Sequence, residues 1–389
     1  MKEVHFKNTV LNFYEFYNTD FKLLKFFGIW IPDSSNSKFH KIYFIVINFV
    51  FCAIFNLAQV SNLLHEINNL KNLAACGYVV AIACMANVRS YYFLKNREEF
   101  LYLIRSLNDS HFQPESEDQI CSAKKSLRFY SKVKMIVSIL CTITVFISMS
   151  TPVFYKKNEL NLPFASWYPF DVSSYPIYQI AYVHQCISVI YVTSINTYVD
   201  IIMAGFNTFI GIQCDLLCSR LYNISKDHSS EENETTLLDC IRHHKLIVRF
   251  ANNTEILFNR IYLGQFIACT SALCMALFLL TLHQESRFES SFLVFYLTAI
   301  FSLLFIPCWF SSEMQGKSEN IPEAAYSCNW VTASKLFKKD LIFFILRAQK
   351  PLKFYAVGFF QISVETFVLI VRSSFSYYTV LNNMIMKEG

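Results

Sequence analysis

The residues whose chemistry is least expected in an apolar setting lie near the end of the chain, in the segment VETFVLIVRSSFSYYTVLNN (364–383). The segment is hydrophobic enough to enter a bilayer, yet it carries Glu365 and Arg372, two helical turns apart. An ionised side chain at mid-membrane costs about 2.5–3.5 kcal/mol on insertion scales. We therefore expect both side chains to contact neighbouring helices or water rather than lipid.

A second set of residues in this segment recurs at a spacing of three or four and is mostly small and polar. It consists of Thr366, Leu369, Ser373, Ser376, Val380 and Asn383. Such a stripe suits either close packing between helices or the wall of a water-filled path, where hydroxyl and amide groups replace part of an ion's hydration. One helix per subunit cannot enclose a path, so the second interpretation requires an oligomer.

Other chemistries find little support in the sequence. It contains no Gly-rich phosphate loop, no His-Glu-x-x-His and no Gly-x-Ser-x-Gly motif. We expect neither an enzyme nor a cofactor, and the net charge of +5 gives no indication of nucleic-acid binding. Cys214 and Cys218 share a helix face and precede His243-His244, but ordinary packing is favoured there over a metal site.

The elements that must position the polar stripe are membrane helices. Of the 389 residues, 54% are hydrophobic and only 16% are charged, against about 25% charged in soluble domains. Apolar runs that can cross a ~30 Å hydrocarbon core need about 20 residues. Seven such runs are predicted, at 42–60, 73–94, 133–151, 176–208, 262–282, 292–311 and 355–381. The predicted fold is an all-α membrane protein with seven transmembrane helices.

The distribution of Lys and Arg predicts the direction of these helices. Of the 34 basic residues, 27 lie in or at the edge of one set of connections and five in the other set. The positive-inside rule then predicts a cytoplasmic N-terminus and an extracellular C-terminus. The predicted regions are a cytoplasmic N-terminal segment (1–41), transmembrane helices 1–4 (42–210), a cytoplasmic helical connection (211–261), transmembrane helices 5–6 (262–311), a cytoplasmic connection with an amphipathic helix (312–354), transmembrane helix 7 (355–381) and an extracellular tail (382–389).

The long cytoplasmic connections are predicted to be helical extensions of the spans. A polar stretch at 225–236 is expected to be a solvated loop, and residues 333–349 to form an amphipathic helix before Pro351. The apolar face of that helix must be buried against another part of the protein or a partner. Two possibilities remain open, which are packing within one chain and contact between subunits, the latter making this region an anchor. Its apolar residues are Leu336, Phe337, Phe343, Phe344 and Leu346.

Several motifs make the chain resemble the insect odorant receptor family. They are FFGIW before the first span, Asn329-Trp330, KLFKKDLIFFILRAQKP (335–351) and the terminal YAVGFFQISVETFVLIVRSSFSYYTVLNN. The last two blocks, in this order and at the C-terminus, are the most specific. The resemblance is to a ligand-tuned subunit rather than to the co-receptor of the family, and it covers all seven predicted spans.

The resemblance implies a subunit of a tetrameric ligand-gated cation channel that assembles with the odorant receptor co-receptor in the membrane of sensory dendrites. In that family the last helix lines the pore. On the family pattern, Val380 falls at the position of the hydrophobic gate and Asn383 at that of a pore-lining glutamine. Ser376-Tyr377 matches the Thr-Tyr or Ser-Tyr pair of that helix, and Ser373 lies on the same face. The asparagine, followed by Met384, departs from the pattern and favours an odorant over a gustatory receptor.

The same resemblance implies a pocket for a small volatile ligand among spans 2, 3, 4 and 6. The side chains expected at its level are Tyr78, Ile82, Ile147, Phe154, Tyr178, Tyr182, Phe295 and Tyr296. The alternatives are a metabotropic seven-helix chemoreceptor, a gustatory-type homomeric channel, and a transporter or membrane enzyme. The predicted direction of the helices opposes the first, and no catalytic set or half-to-half repeat supports the last.

Overall fold

The computed structural model describes residues 11–29, 37–68, 70–154, 162–224, 230–282 and 287–388, and most of these residues are helical. The helices are α1 (Phe13–Phe26), α2 (Ser37–Asn48), α3 (Ile54–His65), α4 (Leu70–Lys95), α5 (Arg97–Ser106), α6 (Glu117–Phe154), α7 (Ile177–Tyr222), α8 (Ser230–Leu282), α9 (Arg287–Glu319), α10 (Ile321–Tyr326), α11 (Lys335–Ala348) and α12 (Val364–Glu388). A π-helical turn at Phe49–Ala53 joins α2 to α3, and a 3₁₀ turn at Ser110–Phe112 precedes α6.

Within the described residues, six helical segments are long and apolar enough to cross a membrane. They are Lys41–His65, Lys71–Lys95, Glu117–Pro152, Ile177–Tyr222, Glu231–Leu282 and Phe288–Tyr326. They correspond to the first six predicted spans. The seventh is α12, which has sufficient length at 25 residues but is less apolar because it carries the polar stripe.

Helix α7 lies at the centre of the bundle. Every residue from Val199 to Cys214 is buried, as expected for a helix that packs on all sides. It contacts α1, α4, α6, α8, α9 and α10. With 46 residues at 1.5 Å per residue, it is about twice as long as a bilayer core is thick, which confirms the predicted helical extension of the fourth span.

The last helix begins later than predicted. Residues 355–363, assigned from the sequence to the seventh span, instead contain an antiparallel hairpin of β1 (Tyr355–Ala356) and β2 (Phe360–Gln361). Gly358 occupies its turn at φ +73°, a conformation that glycine adopts without a steric cost. The Ser363 hydroxyl then accepts from the Thr366 amide at 3.4 Å, which is the geometry of a helix N-cap.

The loop predicted at 225–236 is also shorter than expected. Helix α8 begins at Ser230, so 230–236 are helical, while 225–229 lie outside the described residues. Glu231 and Glu232 occupy its first turn, where negatively charged side chains stabilise the helix by interacting with the positive end of its dipole. Polarity alone led to the wrong assignment, because a charged sequence can form a solvated helix end as readily as a loop.

Lys134 of α6 joins the third predicted span to the N-terminal helix α1. It lies within α6, and its ammonium group bonds both carboxylate oxygens of Asp20 on α1 at 3.0 Å. The Tyr130 hydroxyl donates to the same carboxylate at 3.2 Å. Burial raises the pKa of Asp20, and the bonds from Lys134 and Tyr130 oppose that rise. This cluster fixes α1 against the bundle.

Candidate ligand cavity and pore face

An apolar cavity of about 80 Å³ lies between α3, α4, α6, α7 and α9. Its lining consists of Phe55, Val79, Ile82, Ala83, Cys141, Thr144, Val145, Ser148, Phe164, Val189, Val192, Thr193, Asn196, Phe292, Tyr296, Ala299, Ile300 and Leu303. Most of these side chains are aliphatic or aromatic, and a few polar groups are distributed among them. This composition is typical of sites for small organic ligands.

Of the eight side chains predicted to bind a ligand, Ile82 and Tyr296 line this cavity. Tyr78 lies beside it, with its backbone carbonyl accepting from the Tyr296 hydroxyl at 2.7 Å. Ile147 packs in the neighbouring apolar cluster, and Phe295 is 38% exposed on the outer surface of the bundle.

Two more of the eight, Tyr178 and Tyr182, pack against each other with ring centroids 6.1 Å apart. The Tyr182 hydroxyl donates to the carbonyl of Met149, so this pair ties α7 to the end of α6 instead of facing the cavity. Phe154 is the last residue of α6, and its side chain lies outside the described residues.

A wider depression of about 560 Å³ adjoins the cavity and shares Val79, Phe164 and Phe292 with it. We call this depression the vestibule. Phe164 comes from the connection between α6 and α7 and is held there by Gln185 of α7. The Gln185 side chain accepts from the Phe164 amide at 3.0 Å and donates to its carbonyl at 3.1 Å. Phe164 is thereby fixed in the wall between cavity and vestibule.

A buried ionic cluster lies directly beside the cavity. Arg89 of α4 forms a salt bridge with Asp200 of α7 at 3.0 Å, and both side chains are at most 2% exposed. The guanidinium also bonds Gln265 of α8 and the Asn196 backbone carbonyl at 2.6 Å. Tyr262 donates to Asp200 at 3.1 Å. Arg89 and Asp200 therefore neutralise each other's charge inside the bundle.

The cluster also connects the cavity to two further helices. Gln265 donates to the Leu303 carbonyl of α9 at 3.1 Å, and Leu303 lines the cavity. Gln265 belongs to α8, the helix on which α12 packs. A continuous set of polar contacts therefore runs from the cavity wall to the helix that supports α12.

The predicted stripe on α12 is exposed over most of its length. Ser373, Ser376 and Asn383 are exposed, Val380 is 51% exposed and Tyr377 is 59% exposed. The opposite side of the helix packs into the bundle through Phe367, Ile370 and Ser374, which are buried. Thr366 is the exception on the stripe, being buried with its hydroxyl bonded to the Gln361 carbonyl.

One edge of the stripe borders a groove between α8 and α12. This groove has a volume of about 580 Å³ and includes Ser373 and Tyr377, together with Ile267 and Thr270 of α8. Ser376, Val380 and Asn383 lie beyond it on the open face. The five residues predicted to line a pore are thus on the side of α12 that this chain leaves uncovered.

Comparison with known proteins shows what kind of bundle this is. A family model described as 7tm Odorant receptor matches residues 69–375. The chain belongs to the odorant receptor family. It is therefore a multi-pass membrane receptor rather than an enzyme.

The receptor is similar to several curated insect proteins. It is 24% identical over 339 residues to Odorant receptor 59a of Drosophila melanogaster, covering 82% of this chain and 83% of that protein. It is 25% identical over 333 residues to Odorant receptor 10 of Aedes albopictus, covering 82% of this chain and 86% of that protein. The match extends over nearly the whole length of these relatives.

The fold of the receptor matches a solved structure, that of the insect olfactory receptor OR5 from Machilis hrabei in complex with eugenol. The TM-score is 0.85 at 18% identity, and the match covers 95% of this chain and 98% of that chain. The same olfactory receptor solved in another structure gives a TM-score of 0.84. At this level of identity the similarity demonstrates a shared seven-helix fold.

The receptor's cysteine and histidine residues do not form a metal site where the sequence raised that possibility. Cys214 is buried in the core, while His243 pairs with Gln213 at 2.9 Å and with Arg220 at 3.0 Å. Within the described part of the chain, no three His, Cys, Asp or Glu side chains come together in a way that could hold a metal ion.

Proposed function

We propose that the chain is the odorant-binding subunit of a heteromeric ligand-gated cation channel, which it forms with the odorant receptor co-receptor. The cavity carries this proposal. It lies within the bundle, is mainly apolar, and has room for a small volatile molecule. Because residues of five helices line the cavity, a ligand bound there would contact all five at once.

The pore would be formed by α12 helices from several subunits. The exposed stripe supports this assignment, because a monomer in lipid would leave Ser373, Ser376 and Asn383 facing hydrocarbon. In the assembled channel Val380 would form an apolar constriction that gates by dewetting, and the Asn383 amide would replace part of an ion's hydration. Tyr377 would pack beside the stripe at the border with α8.

Contact between subunits would be strengthened by α11. One face of this helix is buried against its own chain through Phe337 and Phe344, the latter with its ring 5.3 Å from that of His244. Another face leaves three large side chains open, with Leu336 58%, Phe343 62% and Leu346 55% exposed. An apolar surface of this kind is typical of an interaction site, and a neighbouring subunit is the proposed occupant.

Gating would be a population shift, because a ligand can open the channel only through a higher affinity for the open state. A ligand in the cavity would contact α7 and α9 next to the Arg89–Asp200 cluster. Gln265 would then carry the change to α8, against which α12 packs. A small change in the position of α12 would widen the ring at Val380.

The decisive experiment is to express the chain with the co-receptor and to apply a broad panel of volatiles while recording current. Ligand-dependent cation currents are expected from the pair and none from the chain alone. Full activity without the co-receptor would instead support a gustatory-type homomer. Silence to the whole panel, with both proteins at the surface, would contradict the channel proposal.

A second experiment tests the direction of the helices. An epitope at the C-terminus should be labelled on intact cells, because the C-terminus is proposed to be extracellular and the N-terminus cytoplasmic. Labelling that requires permeabilisation would favour the metabotropic alternative. In sensory neurons the protein is expected in the dendritic membrane.

A further inference from the structure

Three hydroxyl groups of the cavity lining use their hydrogens within the protein. Thr144 and Ser148 donate to backbone carbonyls of the preceding turn of α6, at 2.9 Å and 2.7 Å. Tyr296 donates to the carbonyl of Tyr78 at 2.7 Å. A hydroxyl has one hydrogen to donate and two lone pairs to accept with. These three groups therefore offer a ligand acceptors and not donors.

Asn196 contributes a further buried acceptor to the lining. Its side-chain nitrogen donates to the Ile82 carbonyl at 3.1 Å, and since a carbonyl can only accept, the orientation of the amide is fixed. Its Oδ1 atom is buried and accepts no hydrogen bond from the residues that the structure describes. Nearly all buried polar atoms in proteins have a partner. The residue lines the cavity at 3% exposure, so a donor for Oδ1 can come from a ligand.

The size of the cavity limits that ligand. A water molecule needs about 10–15 Å³, so a cavity of about 80 Å³ holds on the order of six waters. An organic molecule of roughly six to ten non-hydrogen atoms fits such a space. The surrounding aliphatic and aromatic side chains require that the rest of the molecule be apolar.

We propose that the cavity selects small apolar molecules bearing one hydroxyl group, namely alcohols and phenols, and that Asn196 Oδ1 accepts the hydrogen bond that distinguishes them. Ethers, esters and ketones carry only acceptors and would place a lone pair against Oδ1. This inference rests on the proposed function of the cavity as the odorant site. Asn196 is then a specificity-determining residue of that site.

The test uses pairs of isomers, so that size and composition are the same within a pair. They are 1-hexanol with 1-methoxypentane, and benzyl alcohol with anisole. The full chain with its co-receptor is assayed for current, and the purified protein is assayed for a shift in thermal unfolding. The alcohol is expected to be about tenfold more potent than its isomeric ether, as loss of one buried hydrogen bond predicts.

Two variants assign the preference to a residue. Asn196→Leu should bring the alcohol down to the level of its ether. Thr193→Val is the matched control, because Thr193 supplies the remaining hydroxyl of the lining one turn away on the same helix, and it should preserve the preference. If Asn196→Leu does not reach the surface, the isomer pairs on the unaltered protein still decide.

Each outcome bears on the proposal. Equal potency of alcohol and ether, a preference for ethers or ketones, or absence of any response or stabilisation by all four compounds overturns the hydroxyl assignment. A preference that survives Asn196→Leu overturns the role of Asn196, and its loss in Thr193→Val would assign the role to Thr193. Thermal stabilisation by the alcohols alone, without current, would uphold the ligand class and contradict the channel function. Currents evoked equally by both isomers would uphold the channel function and contradict the ligand class.

Discussion

The Tyr296 hydroxyl donates to the backbone carbonyl of Tyr78 at 2.7 Å, and the two rings meet nearly at right angles with centroids 4.8 Å apart. Tyr296 belongs to α9 and lines the cavity, whereas Tyr78 belongs to α4 and lines the vestibule. The pair therefore joins two helices at the boundary between cavity and vestibule, and we expect the fit of a ligand to depend on it.

Tyr296→Phe keeps the ring and removes the hydrogen bond. A buried hydrogen bond contributes about 0.5–1.5 kcal/mol, so we expect the concentration for half-maximal current to rise between about twofold and tenfold. Tyr178→Phe is the control, because Tyr178 lies on α7 away from the cavity lining, and its dose–response curve should be unchanged. Identical curves for Tyr296→Phe and the unaltered channel would remove this contact from ligand binding.

Gly205 of α7 allows the close approach of α1. A Cβ atom there would lie 2.8 Å from the Tyr17 ring and 3.1 Å from the Tyr130 hydroxyl, and overpacking of this kind costs about 1–3 kcal/mol. Gly205→Ala should therefore reduce surface expression and lower the unfolding temperature. Gly316→Ala on α9 is the control, since a Cβ there meets nothing within 4 Å. Because Ala favours helix over Gly by up to about 1 kcal/mol, that variant should be neutral or slightly stabilised.

The Arg89–Asp200 pair should show strong coupling in a double-mutant cycle. Arg89→Met leaves the Asp200 carboxylate buried without its salt bridge, and breaking such a pair costs about 3–5 kcal/mol. Arg89→Met/Asp200→Asn removes both charges while keeping an acceptor for Tyr262. The double variant should recover much of the surface expression lost in the single one. The cycle is completed by Asp200→Asn alone, and a loss in the double variant equal to the sum of the two single losses would show that the charges do not depend on each other.

Val380 should control closure of the pore. Val380→Ala widens the proposed apolar constriction, so a larger current without ligand is expected, measured as the fraction that a pore blocker removes. Val368→Ala is the control, because Val368 is also exposed, at 38%, but lies on a different side of α12. An unchanged resting current and permeability in Val380→Ala would place the gate elsewhere.

The sequence was sufficient to predict the helices but not the lining of the cavity. Each span is a long apolar run, and the exposed stripe on α12 has helical periodicity, so both can be predicted from the spacing of residues alone. Cavity lining depends on how each helix is rotated, which is why Phe295 faces outward while Tyr296, one residue later, faces inward. Phe55 and Phe164 were missed because one lies on the first span and the other in a connection.

Asn196 was missed for a different reason. A single amide in an apolar span is usually interpreted as a packing contact, and its neighbours along the chain give no indication of the cavity. Only the hydrogen bond from the Asn196 side-chain nitrogen to the Ile82 carbonyl shows that the Oδ1 atom is the one without a partner among the described residues. The hairpin before α12 was likewise hidden, because its residues are as apolar as those of a span.

Glu365 and Arg372 are both exposed on the uncovered side of α12. Glu365 lies in the first turn of α12, but Arg372 in a solitary copy would meet hydrocarbon, at about 2.5–3.5 kcal/mol by insertion scales. We therefore expect a chain expressed without its proposed partner subunits to be retained inside the cell, because those subunits would cover the exposed charge.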